Sequence, residues 1–331
     1  KMHEASLAAS GSREATREYC ENRAMRIVFA GTPEFAVPSL RALAAHHEIA
    51  GVITREDAPL GRKRVLTPSP VAQAASELGL PVYKANKLDA AATEWVESLG
   101  AELGVIVAYG GLVREPLLSL PAHGWINLHF SDLPAWRGAA PVQRALMVGE
   151  QRLGVTVFRL VAALDAGAVL SRDSREFAPG TSAGEALTEL AEFGTGALQR
   201  AIEVLDEDPQ AGEEQLGEAT YAHKLSREDG RLDLTLSASA VLAHWAGVTP
   251  EPGAFVLFEE QPLKLHELRP VGDTVSGDDA RIAGTVRLVS GRAILDLSDA
   301  SLELVRVQPA GKAAMAGADW LRGRGAEAVL S

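Results

Sequence analysis

Cysteine is almost missing from this chain: among 331 residues there is one, Cys20. A lone thiol makes no internal disulfide and no cysteine-based zinc site, so a reduced, cytoplasmic setting is the expected one. No run of about 18 apolar residues occurs, which excludes a membrane-spanning helix. Basic residues are the minority, 32 Lys plus Arg against 44 Asp plus Glu, for a net charge of -12. Such a surface does not attract polyanions unless positive charge is concentrated locally. Several signatures are also missing. The segment Gly31-Thr32-Pro33-Glu34-Phe35 lacks the G-x-G-x-x-G that lets a pyrophosphate approach the backbone. Neither a G-x-x-x-x-G-K-[ST] phosphate loop nor a G-x-S-x-G elbow is present. No H-E-x-x-H spacing occurs, no metal site is expected, and His46 and His47 are expected on the surface at a helix end.

What remains is ample core material. Hydrophobic residues make up 47% and charged residues 23%, and the length suggests about two folding units. The segment 1–24 mixes charged and small polar residues without an apolar h-region, so it does not read as a signal peptide. It is expected to be an upstream-start artefact, with a disordered or docked native tail as the alternative, and Cys20 within it is assigned no chemistry.

Apolar periodicity begins at Met25. Arg26–Ala30 reads as a buried strand stopped by Gly31-Thr32-Pro33, and Pro38 opens a helix as a first-turn proline does. Strands are then expected at 48–54, 80–83, 103–108 and 124–129, alternating with helices at 70–78, 90–99 and 141–148. That alternation predicts an α/β fold with a mostly parallel, Rossmann-like sheet covered on both faces. Segments 155–160 and 168–177 extend the sheet, and a long helix over 183–205 closes the unit. The acidic, Pro- and Gly-containing stretch 206–219 reads as an exposed linker. Short apolar runs beyond it predict a small β-barrel. The expected division is 25–206, a linker over 207–224, and 225–331.

Ligands of open parallel sheets bind outside the carboxyl ends of the strands. Strand 124–129 ends with Asn127 and His129, two apart and so on one side, with Leu128 turned into packing. An amide beside an imidazole can polarise a carbonyl and move a proton; the alternative is that both satisfy local backbone groups. Phe130 to Pro141, with two prolines and a Trp136-Arg137 pair, reads as a shaped loop able to wall a pocket. Asp165, in the turn Ala162 to Gly167, could orient His129, although Asp before small residues is often only a turn former. Arg55 to Arg64 reads as a basic loop, and its Arg62-Lys63-Arg64 cluster could bind phosphate or could simply be solvated. From Leu225 onward there are 11 Lys plus Arg against 15 Asp plus Glu. A nucleic-acid contact there would need a patch rather than total charge.

Four segments together resemble the methionyl-tRNA formyltransferase family: MRIVFAGTPEFAVPSL (25–40), NLHFSDLPAWRGAAPVQ (127–143), LDAG (164–167) and QPAGKAAM (308–315). The resemblance spans the chain from Met25 almost to its end. It implies transfer of a formyl group from 10-formyltetrahydrofolate to methionine on initiator Met-tRNA, a step of translation initiation. It further implies Asn127, His129 and Asp165 as the catalytic trio and Ser131, Asp132, Leu133 and Pro134 as the folate contact. Arg62, Lys63 and Arg64 become the tRNA-binding loop, and the second unit an OB-like, tRNA-binding barrel. A monomer without a membrane partner is expected. Asp132 stands in place of the first leucine of the family's S-L-L-P, Phe130 in place of a common glycine, Ala135 in place of a frequent arginine, and Val65 in place of a second loop lysine. Related chemistries differ in the acceptor, an amino-sugar nucleotide, a ribonucleotide amine or water; the basic loop, the barrel and QPAGKAAM favour tRNA. An RNA-binding module with an inactive α/β unit is disfavoured by the intact trio.

Overall fold

The computed structural model describes residues 23–61, 63–271 and 282–331; Cys20, most of the expected extension and Arg62 lie outside them. In chain order the first unit contains strands β1 (Arg26–Gly31), β2 (Glu48–Thr54), β3 (Ala58–Leu60), β4 (Val65–Thr67), β5 (Val82–Lys84), β6 (Leu103–Val107), β7 (Trp125–His129), β8 (Arg137–Gly138), β9 (Arg152–Arg159) and β10 (Val169–Glu176). Its helices are α1 (Val37–His46), α2 (Pro70–Glu77), α3 (Ala90–Leu99), α4 (Pro141–Met147) and α5 (Ala183–Glu207).

Seven strands form one sheet in the order β10-β9-β7-β6-β1-β2-β5. The pairs from β5 to β7 are parallel, and β9 and β10 join antiparallel. Because strands of such a sheet are covered on both faces, their sequences are apolar at successive positions rather than alternating. Ile27, Phe29, Ile126 and Leu128 face α1 and α5, whereas Val28, Ala30, Ile106 and Trp125 face the side covered by α3. Helix boundaries follow their caps. Ser69 and Asp89 accept the amides of Ala72 and Ala92, and Ser182 with Glu185 forms a full capping box at the start of α5. The chain runs outward from β1 through β2 to β5, then returns to β6 and β7 on the other side of β1. That reversal opens a crevice outside the carboxyl ends of β1 and β6.

The second unit contains β11 (Tyr221–Ala222), α6 (Ala238–Val248), β12 (Phe255–Phe258), β13 (Gln261–Pro270), β14 (Thr285–Val289), β15 (Arg292–Asp296), β16 (Ser301–Pro309), β17 (Met315–Ala316), α7 (Gly317–Arg322) and β18 (Glu327–Val329). The antiparallel order β12-β13-β16-β15-β14-β18 curls until its ends meet, where Leu257 and Ser331 exchange both backbone hydrogen bonds (2.6 and 2.9 Å). That is the small β-barrel expected from the spacing of the apolar runs, and it agrees with the OB-like unit that the resemblance implies. Its α6 lies against α4, and Gly247 allows the approach, since a Cβ there would sit 2.4 Å from the Gln143 carbonyl oxygen.

One expectation needs correction. His47 is buried, not on the surface: its Nδ1 accepts the Met25 amide (3.3 Å) and its Nε2 meets Gln199 of α5 (3.2 Å). Burial holds its pKa below the ordinary imidazole value. A sequence window at the end of α1 cannot show that α5, some 150 residues later, covers it. The linker is exposed along most of its length but is anchored at several points. Arg159 donates to the carbonyls of Ala211 (2.7 Å) and Pro209 (2.5 Å), and Glu213 pairs with Val169 through two backbone hydrogen bonds. Thr220 to Ala222 then returns beside β8.

Trp125 sets the position of β7. Its indole lies over Gly104 of the neighbouring strand and donates to the Leu117 carbonyl (2.8 Å). A Cβ at Gly104 would stand 2.2 Å from that ring. We expect Gly104→Ala to cost about 1–3 kcal/mol by overpacking, measured by denaturant unfolding; an unchanged midpoint would contradict the packing described.

Candidate active site

Strand β7 carries Trp125, Asn127 and His129 on one face, His129 at its carboxyl end, with Ile126 and Leu128 in the core on the other. The antiparallel neighbour β9 places Phe158 opposite Asn127 and Thr156 opposite His129. Thr156 is fully buried within an otherwise apolar strand and pins the following loop, donating to the Ser131 carbonyl (2.7 Å) and accepting the Leu133 amide (3.2 Å). Ser131 donates in turn to the Ala135 carbonyl (2.6 Å). The loop therefore wraps back over the imidazole.

Trp136 sits at φ +60, a region that bulky residues rarely occupy. Its amide donates to Thr220 Oγ1 (2.8 Å), its indole to Glu150 (3.1 Å), and its carbonyl meets His129 Nε2 at 2.9 Å. A carbonyl only accepts, so Nε2 carries the hydrogen and donates. The other ring nitrogen, Nδ1, faces Asp165 Oδ2 at 4.0 Å, beyond hydrogen-bond range. The same carboxylate oxygen accepts the Gly138 amide (2.7 Å). Asp165 itself has φ +45, a conformation Asp tolerates better than most residues. Gly167 follows because a Cβ there would lie 1.7 Å from the Arg159 carbonyl oxygen.

His129 is only 6% exposed. Burial pulls its pKa below the ordinary value of 6.5; the Asp165 charge and the Trp136 carbonyl oppose this without reversing it. The resting ring is neutral near pH 7, with a lone pair on Nδ1. Half-buried Asn127 makes no side-chain hydrogen bond among the described residues. An unengaged amide beside a basic nitrogen and a carboxylate can stabilise negative charge on an oxygen and accept a proton within one small volume. Among the described residues, no cluster of three His, Cys, Asp or Glu side chains could hold a metal.

Residues 25–202 match the formyl transferase family, and residues 224–325 match the formyl transferase C-terminal domain. A methionyl-tRNA formyltransferase of Leifsonia xyli subsp. xyli is 54% identical over 93% of this chain and 100% of its own length. The chain belongs to the methionyl-tRNA formyltransferase family. A second member, from Clavibacter sepedonicus, is 51% identical over 90% of this chain and 97% of its own. Among solved structures, the fold is shared with a methionyl-tRNA formyltransferase from Clostridium thermocellum (TM-score 0.54, 14% identity, 78% of this chain and all of that one). It is shared also with an N-formyltransferase from Helicobacter canadensis solved with folinic acid and dTDP-3-aminofucose (TM-score 0.64, 13% identity, 86% and 99%).

The structure brings His129 and Asp165 together and leaves Asn127 on the same face of β7. Within the expected folate contact, the side chains of Ser131 and Leu133 are buried, Pro134 is half-buried, and Asp132 is exposed and paired with Arg172 (3.2 Å). The basic segment is a hairpin of β3 and β4 with Lys63 and Arg64 exposed at its tip; Arg62 lies outside the described residues. Arg55 is not part of that tip, since it turns back to the Gly110 carbonyl at the crevice. Sequence reasoning does not single out Thr156, the Trp136 carbonyl or the Gly138 amide. Only Thr156 carries a sequence signal, a hydroxyl in the apolar run LGVTVF.

A direct check is ring titration followed by NMR. His129 is expected to titrate below 6.5, and lower still in Asp165→Asn, because removing the carboxylate removes the attraction favouring the imidazolium. A midpoint at or above 6.5 in the unmodified protein would overturn the assignment of a neutral resting ring.

Proposed function

We propose that the chain transfers the formyl group of 10-formyltetrahydrofolate to the α-amino group of methionine on initiator Met-tRNA, the step that prepares that tRNA for translation initiation. The observation that carries this reading is the free Asn127 amide beside a desolvated His129, with Asp165 behind it, in a member of this family.

The folate co-substrate supplies an already activated formyl carbon, which a neutral amine can attack. Asn127 fits the change that follows. Its side-chain N–H donates to the carbonyl oxygen as negative charge builds there, and among the described residues no competing side-chain hydrogen bond holds it. His129 Nδ1 takes the proton lost by the amine as the new C–N bond forms. The Trp136 carbonyl keeps the opposite N–H in place, so the ring presents its basic nitrogen without rotating. Asp165 stabilises the imidazolium at that moment by charge, and the Gly138 amide keeps its carboxylate aimed inward. His129 then returns the proton to the departing nitrogen, restoring the neutral ring. Burial favours the neutral form of the ring, so His129 enters the reaction as a proton acceptor.

In the same proposal, the 131–134 turn takes the folate through its backbone and the exposed edge at Asp132. Arg62, Lys63 and Arg64 hold the tRNA backbone, where positive charge concentrated on a projecting hairpin overrides a net charge of -12. The barrel supplies further tRNA surface. The acting species in this reading is a single copy, in the cytoplasm where its tRNA partner is used.

Incubation with 10-formyltetrahydrofolate and Met-tRNA is expected to yield formyl-methionine, detected by mass spectrometry after deacylation. Asn127→Ala or His129→Ala should each lower kcat about 10²–10³-fold; near-normal turnover in either would remove that residue from the mechanism. Reversing charge in Lys63→Glu/Arg64→Glu should raise KM for Met-tRNA and flatten its salt dependence by roughly two phosphate contacts. An unchanged KM would exclude the hairpin from the tRNA interface.

A further inference from the structure

Gln215 lies in the stretch between the two units, and nothing in its sequence surroundings marks it. In the fold, its side-chain N–H group donates to the carbonyls of Asp165 (2.8 Å) and Gly167 (2.9 Å), on either side of the turn that carries the carboxylate. Its amide oxygen accepts from Arg137 through Nε (3.2 Å) and Nη2 (2.6 Å). Arg137 stands between Trp136, whose carbonyl holds His129, and Gly138, whose amide holds Asp165. One half-buried amide thus bridges the two segments that place the acid and the imidazole. Besides the Asp165 carboxylate, which itself accepts the Gly138 amide, no other described side chain hydrogen-bonds across the two segments. The amide is matched to the task, with two donors for two carbonyls and an acceptor for the guanidinium.

We propose that Gln215 is a positioning residue for the reaction: by tying the Asp165–Gly167 turn to Arg137 it fixes the distance between the Asp165 carboxylate and the His129 ring. The proposal rests on the roles given to Asp165 and His129 above. It also makes the connector between the units a part of the active site. Asp165 has positive φ and, among the described residues, one hydrogen bond to its side chain. Without Gln215 the turn can relax, the carboxylate recedes from Nδ1, and the proton-accepting step slows.

The test compares Gln215→Ala, Gln215→Glu and Asp165→Asn in the full chain by steady-state formylation across pH, with circular dichroism and thermal unfolding checked for each. Gln215→Glu keeps the acceptor for Arg137 but loses both donors and sets a carboxylate against two carbonyls. The expected result is a fall in kcat of about 10- to 100-fold in both Gln215 variants, as for small misplacements of reacting groups. KM for Met-tRNA should be unchanged, and in Gln215→Ala the acidic limb of the pH–rate profile should move to lower pH, because His129 loses part of its stabilising charge. Wild-type kcat in both Gln215 variants and a wild-type pH profile in Gln215→Ala, with Asp165→Asn impaired, would overturn the proposal and reduce Gln215 to an anchor for Arg137. Full activity in Asp165→Asn would instead remove the role of the carboxylate, and the proposal with it.

Discussion

An imidazole taken out of water is costly unless its N–H finds an acceptor and its charge state suits the surroundings. A buried donor left unpaired costs about 1–3 kcal/mol. His129 meets this condition through a single backbone carbonyl, that of Trp136, and much of the surrounding structure serves to put that carbonyl in place. Trp136 adopts a left-handed backbone conformation, itself worth about 1–3 kcal/mol of strain. The two penalties are of similar size, so the loop is stable only when both of its ends are held. Thr156 holds it on the sheet side, and Thr220 holds it from the connector between the units. The Nδ1 nitrogen is left facing the Asp165 carboxylate.

This arrangement explains why the two units are not independent modules. The first contributes the strand ends, but the connector closes the ring of contacts around them. Glu213 pairs with β10, Gln215 reaches the acidic turn, and Thr220 to Ala222 lies along β8. Arg144 of α4 adds an ion pair with Asp229 (2.9 Å), so the barrel is moored beside the same loop. The geometry around His129 and the placement of the second unit therefore depend on one another through a few hydrogen bonds of the connecting chain.

Electrostatics follows a similar division of scale. A chain of net charge -12 repels a polyanion at long range. The proposed tRNA contact needs basic residues that project away from the acidic surface, and Lys63 and Arg64 are exposed at the tip of the β3–β4 hairpin. The exposed Leu60, Val65 and Leu66 on that hairpin make it an unusual surface element, apolar along its stem and basic at its end.

Much was legible in the residue order. The apolar runs, the proline and serine helix starts and the spacing of Asn127 and His129 all depend on neighbours within a few positions, and periodicity reports such neighbours directly. The sheet, the barrel and the shared face of the amide and imidazole could therefore be read before any coordinates. His47, Thr220 and Gln215 could not, because what gives each its role lies 84 to 152 positions away for His47 and Thr220, and about 50 to 78 for Gln215. The neutral state of His129 was also beyond the sequence, since it depends on desolvation by elements from several parts of the chain. Sequence by itself determined the elements and which side chains share a face; only the tertiary structure decided which distant groups touch and how much water is excluded, because burial and contact are properties of packed surfaces and not of adjacent residues.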